Sequence, residues 1–105
     1  MPLTSSQKKQ LKRIAHHLEP VILVGDQGIS DGVIEETRRA LSDHELIKVK
    51  FATDNREDRV AMADKLVSVC EAELIQRIGK TVVLYRVNPQ PNIRLSNLHR
   101  YSGGA

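Results

Sequence analysis

Apolar and polar residues alternate along this chain in two rhythms, and the switches between them divide it into seven elements. From Thr4 to about His17, Leu11, Ile14, Ala15 and Leu18 fall on one face at roughly 100° per residue. Thr4, Ser5 and Ser6 offer N-caps, so the first element is an amphipathic helix that Pro20 stops. Val21-Ile22-Leu23-Val24 is too short for a helix and apolar on both faces, which predicts a strand buried inside a sheet. A second helix spans about Asp31 to Ser42, with Ser30 and Asp31 as caps and Val33, Ile34, Thr37, Ala40 and Leu41 inward. From Leu46 the period becomes two: Ile47, Val49 and Phe51 face one way and Lys48 and Lys50 the other, a strand with a wet, basic side.

Thr53, Asp54 and Asn55 cap a third helix that runs to about Glu71, and Asp54 with Glu57 fits a capping box. Its stripe is Val60, Ala63, Leu66, Val67 and Cys70, with Met62 and Val69 at the margin; Cys70 is read as core. Glu73 to Ile78 and Thr81 to Arg86 are two strands around Gly79-Lys80, where glycine at the first central position predicts a type II′ hairpin. The order is therefore α-β-α-β-α-β-β. Strands joined through helices run parallel and the hairpin adds an antiparallel pair, so the fold class is α/β with a mixed four-stranded sheet packed with helices. Residues 1–88 make one domain, and 89–105, with Pro89, Pro91 and a final Ser-Gly-Gly-Ala, read as a polar, flexible tail.

Charge changes the picture through its placement more than its size. The net charge is +3, but residues 1 to 20 and residues 86 to 105 each carry +3 while the middle carries −3. If the two ends meet, they form a basic face over an acidic body. On the first helix Lys8, Lys9, Lys12, Arg13 and His16 share the arc opposite the apolar stripe, with no acid among them. No apolar run is long enough to cross a bilayer, and the N-terminal residues lack the apolar core of a signal peptide, so a cytoplasmic location without membrane contact is expected. A single cysteine allows neither an internal disulfide nor a cysteine-based metal cage.

The corner after the first strand is the candidate site. Gly25-Asp26-Gln27-Gly28 joins a strand to a helix N-terminus, where glycines admit a close approach and the first helical N–H groups point outward. Such a corner can hold a phosphate, although Asp26, Asp31, Glu35 and Glu36 oppose it. Gly79-Lys80-Thr81 looks like the end of a phosphate-binding loop, but the earlier glycine is replaced by Leu74 and no helix follows. The glycines do not fit a dinucleotide fingerprint, His44-Glu45 has no second histidine, and no acid, base or nucleophile is placed for chemistry. No enzyme activity, cofactor, metal or small-molecule substrate is expected.

Several separate stretches, in order, resemble the CRM domain, the chloroplast RNA splicing and ribosome maturation module, in its small stand-alone bacterial form. They are Leu11-Lys12 and Ala15-His16, then Val24-Gly25-Asp26-Gln27-Gly28 followed by Ile29, and Glu45-Leu46-Ile47-Lys48-Val49-Lys50. Arg56-Glu57-Asp58 and Ile78-Gly79-Lys80-Thr81-Val82-Val83-Leu84-Tyr85-Arg86 complete them, so that the likeness covers about residues 3 to 86. The resemblance implies a fold similar to the C-terminal domain of a bacterial translation initiation factor. It also implies that the Gly-x-x-Gly loop contacts RNA, by analogy with KH domains, which clamp backbone nucleotides with such a loop. That role falls on Gly25, Asp26, Gln27 and Gly28; family members often carry a basic residue there, and this chain carries Asp26.

The expectation is a monomeric, non-enzymatic RNA-binding protein, and the resemblance implies that it binds ribosomal RNA and assists assembly of the large ribosomal subunit. Lys8, Lys9, Lys12, Arg13 and His16 supply attraction, with Lys48, Lys50, Arg86, Arg94 and Arg100 as second-line contacts. With one Phe, two Tyr and no Trp, base stacking cannot be the main contribution, so backbone and shape recognition should dominate. The rival is a protein-interaction module that docks on ribosomal proteins or assembly factors through acids around Asp54, Glu57 and Asp58.

Overall fold

A computed structural model describes residues 3–98. The elements follow in the expected order: α1 (Ser5–Ala15), β1 (Pro20–Val24), α2 (Asp31–His44), β2 (Leu46–Phe51), α3 (Arg56–Cys70), β3 (Glu73–Ile78) and β4 (Thr81–Tyr85). Local chemistry explains their starts. Thr4 and Gln7 close a reciprocal capping box on α1, and the Ser30 hydroxyl accepts from the Val33 N–H at the head of α2. At α3 the cap is Asn55, whose side chain accepts from the Asp58 N–H; the expected Asp54–Glu57 box does not form, because the Asp54 carboxylate pairs with Lys80 on the hairpin instead.

The sheet order is β1-β2-β4-β3, with β1 and β2 parallel and the remaining neighbours antiparallel. Gly79 takes φ +57 and Lys80 keeps a negative φ, as a II′ turn asks of its two central residues. α2 and α3 cover one face. There Ile22, Val24, Ile47, Val49, Phe51, Val82 and Leu84 meet Leu41, Ala63, Leu66 and Cys70 in the main core. α1 lies on the other face and packs Leu11, Ile14 and Ala15 on Leu46, Ile75 and Val83.

Placing β1 inside the sheet was an error of the hydrophobic pattern. It is an edge strand: Ile22 and Val24 enter the core, while Val21 and Leu23 are 49% and 66% exposed. The reason is topological. The chain returns from α2 to pair β2 with β1, and β4 then takes the other side of β2, so nothing pairs beyond β1. β2 also differs from its expected wet side, since Leu46 on that side is buried under α1.

The expected tail does not begin at residue 89. Ser96 and Asn97 are buried, and Leu98 packs with α1 and Tyr85. Polar residues can dock here because each finds a partner: the Ser96 hydroxyl donates to Glu45 Oε1 at 2.8 Å, and Asn97 Nδ2 donates to the Leu46 carbonyl at 2.7 Å. No helix among the described residues is long and apolar enough to cross a membrane.

Candidate nucleic-acid interface

The Gly-x-x-Gly loop sits at the C-terminal end of β1 and feeds α2. The Gly28 N–H donates to the Gly25 carbonyl at 3.1 Å, which closes a turn with Asp26 and Gln27 at its tip. The Ala52 N–H donates to the Val24 carbonyl at 2.8 Å, so the loop's base is tied to the segment that leaves β2. Gly25, Asp26 and Gln27 are exposed, and Gly28 is half-buried beside Met62. The two glycines serve different ends. Gly28 has φ +76, a conformation that disfavours any side chain. Gly25 has no such φ, and a Cβ built there would meet nothing within 4 Å, so folding places no demand on it.

Behind the loop is the head of α2. The Ser30 N–H is used by the Gly28 carbonyl and the Val33 N–H by Ser30 Oγ, while those of Asp31 and Gly32 find no partner among the described residues. Facing the loop across a shallow cavity is the first half of α3, with Asp58, Ala61 and Met62 beside Gly25 and Asp26. Two carboxylates therefore flank this cavity.

The α1 stripe is as expected: Lys8, Lys9, Lys12, Arg13 and His16 are all exposed, and the helix has no acid. Lys50 is exposed on the sheet face that α1 shares, opposite Leu23 of the edge strand. Lys48 on the same face is spent differently. Its Nζ donates to the Leu18 carbonyl at 3.0 Å and holds the turn after α1, so it is not the free cation expected.

Arg86 is also removed from the interface. It lies at the opposite end of the sheet, where its guanidinium donates to the carbonyls of Cys70 at 3.0 Å and Arg38 at 3.2 Å and to Ser42 Oγ at 2.8 Å. It ties the C-terminal halves of α2 and α3 together, a structural task that its place in the sequence did not reveal. Arg94 belongs to the segment docked at that same end, and Arg100 lies outside the described residues. Burial raises the Cys70 thiol pKa there, against the pull of Arg38 and Arg86; burial, then Glu45 and Glu73, raise that of the Tyr85 phenol.

Three cations not among the expected contacts gather near the loop end: Arg56 and Arg59 on α3 and Arg77 on β3 line one groove. Arg77 is far from Arg56 and Arg59 in sequence, so only the packing of α3 on the hairpin brings the three together. Lys80 pairs with Asp54 nearby and holds that carboxyl below its ordinary pKa, mainly through their hydrogen bond. Among the described residues no group of three or more His, Cys, Asp or Glu side chains could hold a metal.

The family model of the CRS1/YhbY (CRM) domain matches residues 3–86, which takes in α1, the glycine loop and the hairpin. The chain belongs to this CRM family. A relative in Pseudomonas aeruginosa, named a probable RNA-binding protein, is 52% identical over 103 residues, 98% of this chain and 99% of that one. An RNA-binding protein of Haemophilus influenzae is 42% identical over 93 residues, 89% of this chain and 94% of that one. The solution structure of a hypothetical protein from Staphylococcus aureus superposes with a TM-score of 0.74 at 34% identity, covering 85% of this chain and 93% of that one. The CRM fold expected from the sequence is thus the fold observed.

Proposed function

We propose that this protein is a monomeric, non-enzymatic binder of RNA backbone, and that its target is ribosomal RNA in precursors of the large subunit. Gly25 carries the reading. A glycine that folding does not require, exposed at the start of the turn in a strand-to-helix corner, is what close approach by another backbone needs. The acid-free stripe of Lys8, Lys9, Lys12 and Arg13, with Lys50, supplies the attraction that Asp26 and Asp58 beside the loop cannot. The names of the bacterial relatives support RNA as the partner, and the family resemblance supports ribosomal RNA. The interaction-module rival loses ground because Asp54, the first acid of its surface, is taken by Lys80.

A gel shift with purified ribosomal RNA across a salt series tests the binding. About five phosphate contacts should give a slope near −3.5 in log affinity against log salt, using roughly −0.7 per phosphate. In a density gradient of cell extract the protein should travel with precursor large subunits. No shift at low micromolar protein, or affinity flat in salt, would overturn RNA binding; a shift without co-migration would overturn the ribosomal target alone.

A further inference from the structure

The groove between α3 and the β3–β4 hairpin is outside the interface proposed above, and its chemistry is distinctive. Arg56, Arg59 and Arg77 line it together with Phe51 and Gly79, and no carboxylate does. Gathering like charges is unfavourable unless an acid or a ligand answers them. The acids nearby answer only in part: Asp54 pairs with Lys80, and Asp64 touches Arg77 through one oxygen at 3.2 Å with both side chains partly exposed. The Arg56 side chain makes no hydrogen bond or ion pair among the described residues. Arg59 is positioned without being neutralised, since one nitrogen donates to the carbonyls of Thr53 at 3.2 Å and Asp54 at 2.8 Å. Guanidinium forks held in place in this way match the oxygens of a phosphate.

We propose that this groove binds a second stretch of RNA backbone, distinct from the one at the glycine loop; the inference rests on the RNA-binding reading above. A phosphodiester chain fits better than a free nucleotide, because Phe51 is fully buried and the groove offers no exposed ring on which a base could stack. The two stretches are separate because the loop cavity and the groove share no lining residue, and the exposed acids Glu57 and Asp58 on the first turn of α3, with Asp58 lining the loop cavity, repel a backbone that would cross directly. A short RNA therefore fills one site at a time, and a long or folded one reaches both.

The test compares wild type with the Arg56→Gln/Arg77→Gln double variant on labelled oligouridines of about four and about sixteen nucleotides. Arg59 is left in place because it braces the α3 entry, and thermal melting confirms that the variant folds. Expected is a loss of about tenfold for the long RNA, a salt slope smaller by about 1.4 for two lost phosphates, and a change within about twofold for the short one. An Arg56→Lys/Arg77→Lys variant, which keeps the charge, should recover most of the long-RNA affinity. Unchanged affinity and slope on the long RNA would overturn the groove while the loop reading stands, and so would an equal loss at both lengths. If wild type binds neither oligouridine nor ribosomal RNA, the parent reading fails and takes the groove with it.

Discussion

The two ends of the sheet treat their polar groups in opposite ways. At the end where β2 begins, Glu45 is buried with φ +63, and its carboxylate accepts from the Ser96 hydroxyl at 2.8 Å and the Asn88 N–H at 3.0 Å. Arg86 has three acceptors there, and Asn97 is satisfied by a main-chain carbonyl. At the end where β1 and β2 finish, Gly25, Asp26 and Gln27 are exposed, two N–H groups of α2 are unused, and Arg56 is unpaired among the described residues. What separates the two ends is satisfaction: the closed end spends its polar groups on one another, and the open end leaves several of them, the loop, two helix N–H groups and Arg56, unanswered among the described residues.

The contrast can be broken in several ways, and the largest effect belongs to the closed end. Glu45→Ala leaves the Ser96 hydroxyl and the Asn88 N–H without their acceptor and should cost about 2–3 kcal/mol in urea unfolding, with RNA affinity unchanged in the folded protein. A loss of RNA binding without a loss of stability would reverse the roles assigned to the two ends. Next comes charge reversal on α1: Lys8→Glu with Lys12→Glu should lower affinity for every RNA by about 10- to 100-fold and flatten the salt slope, with little change in melting. A selective loss on one sequence would instead mean base readout.

The glycine loop gives a sharper contrast within the open end. Gly28→Ala forces a side chain into φ +76 and should cost about 1 kcal/mol of stability. Gly25→Val should leave melting nearly unchanged and weaken RNA binding about tenfold, since its side chain would occupy open space where the proposed RNA backbone approaches. Full affinity in Gly25→Val would remove the loop from the interface. Back at the closed end, the thiol pKa of Cys70 is raised by burial, so in the folded state it should resist alkylation at neutral pH and react only on unfolding. Its contribution to stability is complete below pH 9.0, the ordinary thiol value, and declines as pH rises above it.

The smallest effect is that of Asp54. Because Lys80 lowers its pKa, the pair stabilises the fold at pH above 3.8 and loses that contribution as pH falls through the depressed value. The carboxyl is fully exposed, so Asp54→Asn should shift the melting temperature only slightly near neutrality, and the difference should vanish in acid. A large shift would mean that the hairpin turn depends on this pair.

Period and caps made the element order legible, because they act within a few residues: the N-caps Thr4 and Ser30, the alternation from Leu46 and Gly79 all stand where the pattern put them. Hydrophobic run length misled at β1, since four apolar residues in a row cannot tell an inner strand from an edge strand whose second face is left open. Composition misled after residue 88. Asn, Ser and Pro usually mean a solvated tail, but Ser96 and Asn97 meet acceptors supplied by residues about fifty positions earlier.

By itself, the sequence determined where helices and strands lie, where the glycine corner falls and that α1 carries one sign of charge, since each follows from neighbours along the chain. Only the tertiary structure decided which cations remain available. Lys48 and Arg86 are spent on carbonyls brought close by folding, while Arg56, Arg59 and Arg77 are collected from a helix and a strand into one groove. A charge is written in one residue, but whether it is answered depends on distances that exist only once the sheet has closed on its helices.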